Sequence, residues 1–325
     1  MRRSRTLTLT LKRGALVTAA NWPLVVIQFV ADAVFKTLVA MPIVGGVVLV
    51  VLLLDVDPVE LLQQDTSRVV PTLAAVLLAQ PAALAAFLGA LALVLTGGSI
   101  LMFAVKSGTV AVLAEGEAAA GRIEHPPLRI ATIRRAERFA LDRYTAGVRR
   151  FFPRFFLLGL LLFVVYAGVL GAYAFVVFGP WWADSDRWPY VTALASTGVV
   201  VAITLVNLLY LLTQVAIVSG DTGVAGAVRR VTALLRHAPA EVGGVFAATL
   251  ILMVLTTAAS ILATAALGLI AFVPLVGLAA FPLQAGAWLL RGLVFQFIGL
   301  TAASAYLALS RRQSAVAAGT EPAHA

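Results

Sequence analysis

Three charged residues fall inside stretches that are otherwise apolar: Asp32, Lys36 and Arg291. A charge held in hydrocarbon is expensive, so such residues mark substrate, ion or headgroup sites by default. Asp32 and Lys36 stand four positions apart, which on a helix puts them on one face and lets them neutralise each other. Counted from Pro23 at about 1.5 Å per residue, they come to mid-membrane or slightly beyond. Arg291 lies about 12 Å into the last apolar run on the same arithmetic. Together with Gln284 and Gln296 they could form a midplane polar site for a substrate or a lipid headgroup. The plainer account is structural. The first apolar run is longer than a bilayer needs, so Lys36 would snorkel to the inner headgroups. Arg291 would reach outward or pair with a helix-end carbonyl.

Other chemistry is thinly represented. Asp55, Asp57 and Glu60 in DVDPVE have carboxylate spacing that suits a divalent cation, but no companion ligands accompany them. A solvated acidic loop is the favoured reading. His125, His237 and His324 have no partner at a metal-ligand or acid–base spacing, and Ser99, Ser107 and Ser260 have no histidine at comparable depth. The HExxH, GxSxG, Walker and Rossmann patterns do not occur. With no cysteine in the chain, disulfides, thiolate metal sites and cysteine nucleophiles are excluded. The expectation is a non-enzymatic protein without cofactor or metal.

The stretch that sets the organisation is Leu128 to Phe155, LRIATIRRAERFALDRYTAGVRRFFPRF. Ile133, Ala136, Ala140, Tyr144, Val148 and Phe151 recur at steps of three and four, a helical stripe. Arg134, Arg135, Arg138, Arg143, Arg149 and Arg150 fill much of the rest. A helix of this kind lies along a membrane surface. From Lys106 to Arg154 there are ten basic and five acidic residues, a net of +5. Each such cation is worth about 1 kcal/mol beside an anionic leaflet. Arg134, Arg135, Arg138, Arg149 and Arg150, with Arg229 and Arg230 further on, are therefore the candidate anionic-lipid surface. Topology control would account for the same charges.

The elements that must position these residues are membrane spans. The chain has 325 residues, 61% hydrophobic and only 12% charged, outside the range of soluble domains. Its net charge of +9 would elsewhere point to nucleic acid; here basic segments facing anionic lipid explain it better. Six apolar runs are long enough to cross: Pro23 to Leu54, Val76 to Ala104, Phe155 to Phe178, Val191 to Val218, Val242 to Val273, and Leu283 to Leu309. The first continues without a cleavage site and is read as a retained span. Arginine outnumbers lysine and alanine is abundant, as in GC-rich bacterial genes.

Both ends and the even-numbered loops are basic. The odd-numbered loops carry Asp55, Asp57, Glu60 and Asp65, then Asp184 and Asp186, opposed by Arg68 and Arg187 alone. The positive-inside rule then puts both termini in the cytoplasm, in a bacterial inner membrane. Trp181, Trp182, Trp188 and Tyr190 would mark the outer interface and Trp22 the inner one. Ala82, Ala86 and Ala90, and Ala258, Ala259, Ala263 and Ala266, are spaced for close helix approach, or reflect composition alone.

Three segments read alike: KRGALVTAANWP, DRYTAGVRRFFP and RRVTALLRHAPA. Each is basic and amphipathic and ends in a proline (Pro23, Pro153, Pro239) that would stop one helix and open the next. The chain thus divides into possible repeats 8–120, 128–226 and 227–312, with residues 313–325 as a disordered tail. The expected fold is all-α: a single polytopic domain of three transmembrane hairpins, each preceded by a basic surface helix.

The segments AGVRRFFPRFFLLGLLL, GAVRRVTALLRHAPAEVGGV and FQFIGLTAASAYLALSRR give the chain a resemblance. It resembles the membrane domains associated with glycerophosphodiester phosphodiesterases and related uncharacterised six-helix bacterial membrane proteins. Those enzymes carry their chemistry in a separate soluble barrel. The resemblance therefore implies a membrane module without activity of its own. Two functions follow as expectations. One is a scaffold or accessory subunit that engages anionic lipid or a partner protein at the cytoplasmic face. The other is a transporter or lipid-handling permease using Asp32, Lys36 and Arg291, with Pro274 and Pro282 as breaks flanking the last outer turn.

Overall fold

The computed structural model describes residues 2–54, 79–125, 127, 130–178, 188–271 and 276–317, nearly all of them helical. The helices are α1 (Arg2–Ala20), α2 (Pro23–Leu54), α3 (Pro81–Ala119), α4 (Ile130–Ala136) and α5 (Leu141–Phe178). After these come α6 (Trp188–Gly220), α7 (Val224–His237), α8 (Pro239–Ala271) and α9 (Val276–Ala317). No strand occurs among the described residues. Six helices, α2, α3, α5, α6, α8 and α9, are long and apolar enough to cross a membrane. The protein is an all-α, multi-pass membrane protein, its hairpins α2/α3, α5/α6 and α8/α9 preceded by α1, α4 and α7. Leu93, Phe163, Leu194 and Leu262, large and exposed on span helices, are the side chains such a protein turns to lipid.

Several helices outrun the apolar segments that announce them. Hydropathy detects hydrocarbon, whereas a helix continues as long as propensity and packing allow. AVLAEGEAA extends α3 to Ala119 because alanine and glutamate are good helix formers. Prolines behave in two ways. Pro23 and Pro239 open α2 and α8, the position where a missing N–H costs nothing. Pro153 and Pro282 do not break their helices but lie inside α5 and α9. Long apolar helices tolerate an internal proline when the freed carbonyl finds another partner. Pro153 therefore does not separate a surface helix from a span, and Pro282 is not a break beside the outer turn.

The basic stretch is also not one helix. It runs as α4, leaves helical geometry at 137–140, and resumes as α5. Asn21 is the cause. Its Oδ1 accepts the backbone N–H groups of Arg138 (2.8 Å) and Phe139 (3.0 Å), and its Nδ2 donates to the carbonyls of Ala136 (2.8 Å) and Val17 (3.0 Å). The amide is fully buried and fully satisfied, as a buried polar group must be.

The chain forms two compact units, residues 30–103 and residues 1–29 with 104–325. In the smaller, the ends of α2 and α3 form an antiparallel hairpin, with Phe35 against Gly98 and Phe87 against Gly46. In the larger, α9 packs on α1, α6 and α8. Ala302, Ala303, Ala305 and Ala308 are buried along it, and Gly14 of α1 sits so close that an added Cβ would lie 2.5 Å from the Thr301 carbonyl. Close approach of this kind is what small residues permit. The sequence has it elsewhere, for Ala82, Ala86, Ala90, Ala258, Ala259, Ala263 and Ala266 are all exposed. α1 is no free surface helix either: Thr10, Val17 and Thr18 are buried, and Thr18 Oγ1 lies 3.2 Å from Ser304 Oγ. The last helix runs on to Ala317.

Candidate functional site

Asp32 and Lys36 form an ion pair at 2.7 Å along α2. The pair is intrahelical and Lys36 is mostly exposed, so each charge has its partner on its own helix. Arg291 sits over the ring of Phe295, 5.5 Å from its centroid, one turn further along α9. Asp32 and Lys36 belong to the smaller unit and Arg291 to the larger.

All the candidate lipid arginines but Arg138 lie on three helices, Arg134 and Arg135 in the last turn of α4 and the others further inside α5 and α7. Arg134 and Arg135 in α4, Arg149 and Arg150 in α5, and Arg229 and Arg230 in α7 are exposed. Arg138 is different, being held by its backbone on Asn21. Arg150 and Arg154 both reach Asp221, at 2.6 and 2.7 Å. Asp221 follows α6 with φ of 46°, a left-handed conformation that aspartate tolerates better than most residues. Hydrogen bonds from Arg150 and Arg154 hold its carboxyl below the usual aspartate range.

Among the described residues, a polar cluster joins charges from three distant segments of the sequence. Arg13 of α1 donates Nε to Glu117 Oε1 (2.9 Å), Nη1 to Glu124 Oε2 (2.8 Å) and to the Gly121 carbonyl, and Nη2 to the Glu117 carbonyl (3.1 Å). Nη2 also lies 2.8 Å from Glu117 Oε1, so the guanidinium is saturated. Arg311 of α9 brings Nε to 2.8 Å from Glu117 Oε2 and donates Nη2 to the Ala114 carbonyl at 2.9 Å. Glu117 is only 4% exposed, so burial here is possible only because two guanidinium groups balance one carboxylate. Arg312 donates to Thr10 Oγ1 at 3.3 Å. A cavity of about 340 Å³ opens beside these groups, lined by Arg13, Glu117, Gly121, Glu124, Arg311 and Arg312.

The signal for this cluster was present as two glutamates in the alanine-rich end of an apolar helix. Glu117 is buried and Glu115, two positions earlier, is exposed. Helical phase alone separates them.

His125 lies 3.8 Å from Glu124, and no group of three His, Asp or Glu side chains that could hold a metal occurs among the described residues. Asp55, Asp57, Glu60, Asp65, Arg68, Asp184, Asp186, Arg187, Trp181, Trp182, Pro274 and His324 lie outside the described residues. Comparison with protein-family models, curated proteins and solved structures found no match.

Proposed function

We propose that this is a non-enzymatic scaffold or accessory subunit of the bacterial cytoplasmic membrane, with both termini cytoplasmic and its exposed arginines engaging anionic lipid headgroups or a partner protein. One observation carries the reading. Arg134, Arg135, Arg149, Arg229 and Arg230 are exposed with no carboxylate partner among the described residues, while Glu117 and Glu124 are buried on Arg13 and Arg311. Two acids and two bases are withdrawn together, so the exposed face keeps the net positive charge that the residue count gives, with Glu115, Glu137 and Asp142 also exposed. At about 1 kcal/mol per cation, five such residues favour an anionic leaflet strongly. The resemblance of its sequence to the six-helix group associated with glycerophosphodiester phosphodiesterases supports this reading as an architecture.

The test is quenching of tryptophan fluorescence in reconstituted vesicles by brominated phosphatidylglycerol or brominated phosphatidylcholine. Phosphatidylglycerol should be enriched around the wild type several-fold at low salt and less at high salt. Replacing Arg149, Arg150, Arg229 and Arg230 by Gln should abolish the enrichment. Equal quenching by both lipids in the wild type would overturn the lipid reading and turn the search to a partner protein.

A further inference from the structure

We propose that the cavity beside Glu117 binds a phosphate monoester, gripped by Arg311 and Arg312. At about 340 Å³ it falls in the range of small-molecule sites, roughly 300–1,000 Å³. Its charges are three arginines against two glutamates, and both glutamates are already engaged by Arg13. A cation therefore finds no open carboxylate pair. An anion finds donors: Arg311 commits Nε and one Nη2 hydrogen, Arg312 commits Nη1 to Thr10, and most of their N–H groups remain for the cavity. Two adjacent guanidinium forks suit phosphate oxygens better than any other side-chain pair.

The arginines narrow the choice further. A phosphate monoester offers them three terminal oxygens and a charge of about −1.5 to −2 at neutral pH, whereas a phosphodiester or a carboxylate offers two oxygens and a single charge.

The site is distinct from the exposed arginine face and rests on the lipid reading above only if its ligand is a lipid. Two sources share the chemistry, a monoester lipid headgroup and a soluble phosphate. The experiment is calorimetric titration of the full chain in non-ionic detergent with dioctanoyl phosphatidic acid, dioctanoyl phosphatidylglycerol and inorganic phosphate. Saturable binding of phosphatidic acid at one per chain, tighter than phosphatidylglycerol, assigns a lipid source. Saturable binding of inorganic phosphate, with phosphatidic acid no better, assigns a soluble one. Either must weaken about tenfold or more in Arg312→Gln, the loss of a charge-assisted contact. Arg312→Lys keeps the charge but not the fork, and should weaken binding several-fold in a chain that keeps its fold. The Gln variant of Arg149, Arg150, Arg229 and Arg230 should keep this site while losing general lipid enrichment. No saturable binding to the wild type, or binding that Arg312→Gln and Arg312→Lys leave within twofold, overturns the proposal.

Discussion

Arg13 and Glu117, 104 residues apart, meet at 2.8 Å inside the protein and fasten α1 to the end of α3. Arg311 approaches the same carboxylate from α9, so one buried glutamate ties three helices. The pair need not be worth much compared with an apolar replacement of both partners, but removing Glu117 takes a partner from both arginines.

Glu117→Gln should destabilise the protein by about 1–3 kcal/mol, a modest loss because Arg13 keeps Glu124 at 2.8 Å and Arg311 is 40% exposed. Thermal unfolding in detergent reads it. Glu115→Gln, two positions away and exposed, should change little. Equal effects of the two substitutions would mean that the buried pair does not hold α1.

Asn21→Ala removes four hydrogen bonds at once and leaves the N–H groups of Arg138 and Phe139 without their acceptor. A loss of about 2 kcal/mol or more is expected. Hydrogen exchange should rise at residues 136–140. Protection unchanged there would show that the break between α4 and α5 has another cause.

Gly116→Ala should also weaken this junction, because its Cβ would lie 2.8 Å from the Ala136 carbonyl and 2.9 Å from Asn21 Nδ2. Overpacking of this order costs about 1–3 kcal/mol. Gly89→Ala meets open space and serves as the control, to be compared by melting temperature.

Asp221 gives a pH dependence with a definite sign. Its carboxyl is held below the ordinary aspartate value of 3.8 by Arg150 and Arg154, so the folded state binds its proton less readily than the unfolded chain. The stabilisation is present above that value and is lost as pH falls through the lower, folded pKa. Thermal unfolding in detergent, followed downward in pH from about 6, should show a loss of stability at low pH that Asp221→Asn, which tolerates the left-handed φ, does not show. An equal acid loss in both proteins would contradict this.

The spans were legible because each is an uninterrupted apolar run, and hydropathy reads that directly. The ends of α3, α5 and α9 were not, since helices persist beyond hydrocarbon wherever alanine, arginine and glutamate allow. Pro153 and Pro282 look like punctuation in sequence, yet each lies inside a helix. The buried cluster was hidden for a different reason. Arg13, Glu117, Glu124 and Arg311 come from three distant segments, and nothing local distinguishes Glu117 from Glu115. The intramembrane charges Asp32, Lys36 and Arg291 drew attention by rarity, and the first two turn out to neutralise each other at 2.7 Å.

The most direct measurement is native mass spectrometry of the protein extracted with its own lipids. It compares the wild type, Arg291→Gln, and the Gln variant of Arg149, Arg150, Arg229 and Arg230. The account predicts anionic lipid on the wild type and on Arg291→Gln, largely stripped from the arginine variant. A ligand lost from Arg291→Gln but retained by the arginine variant would contradict it and establish a site within the spans instead.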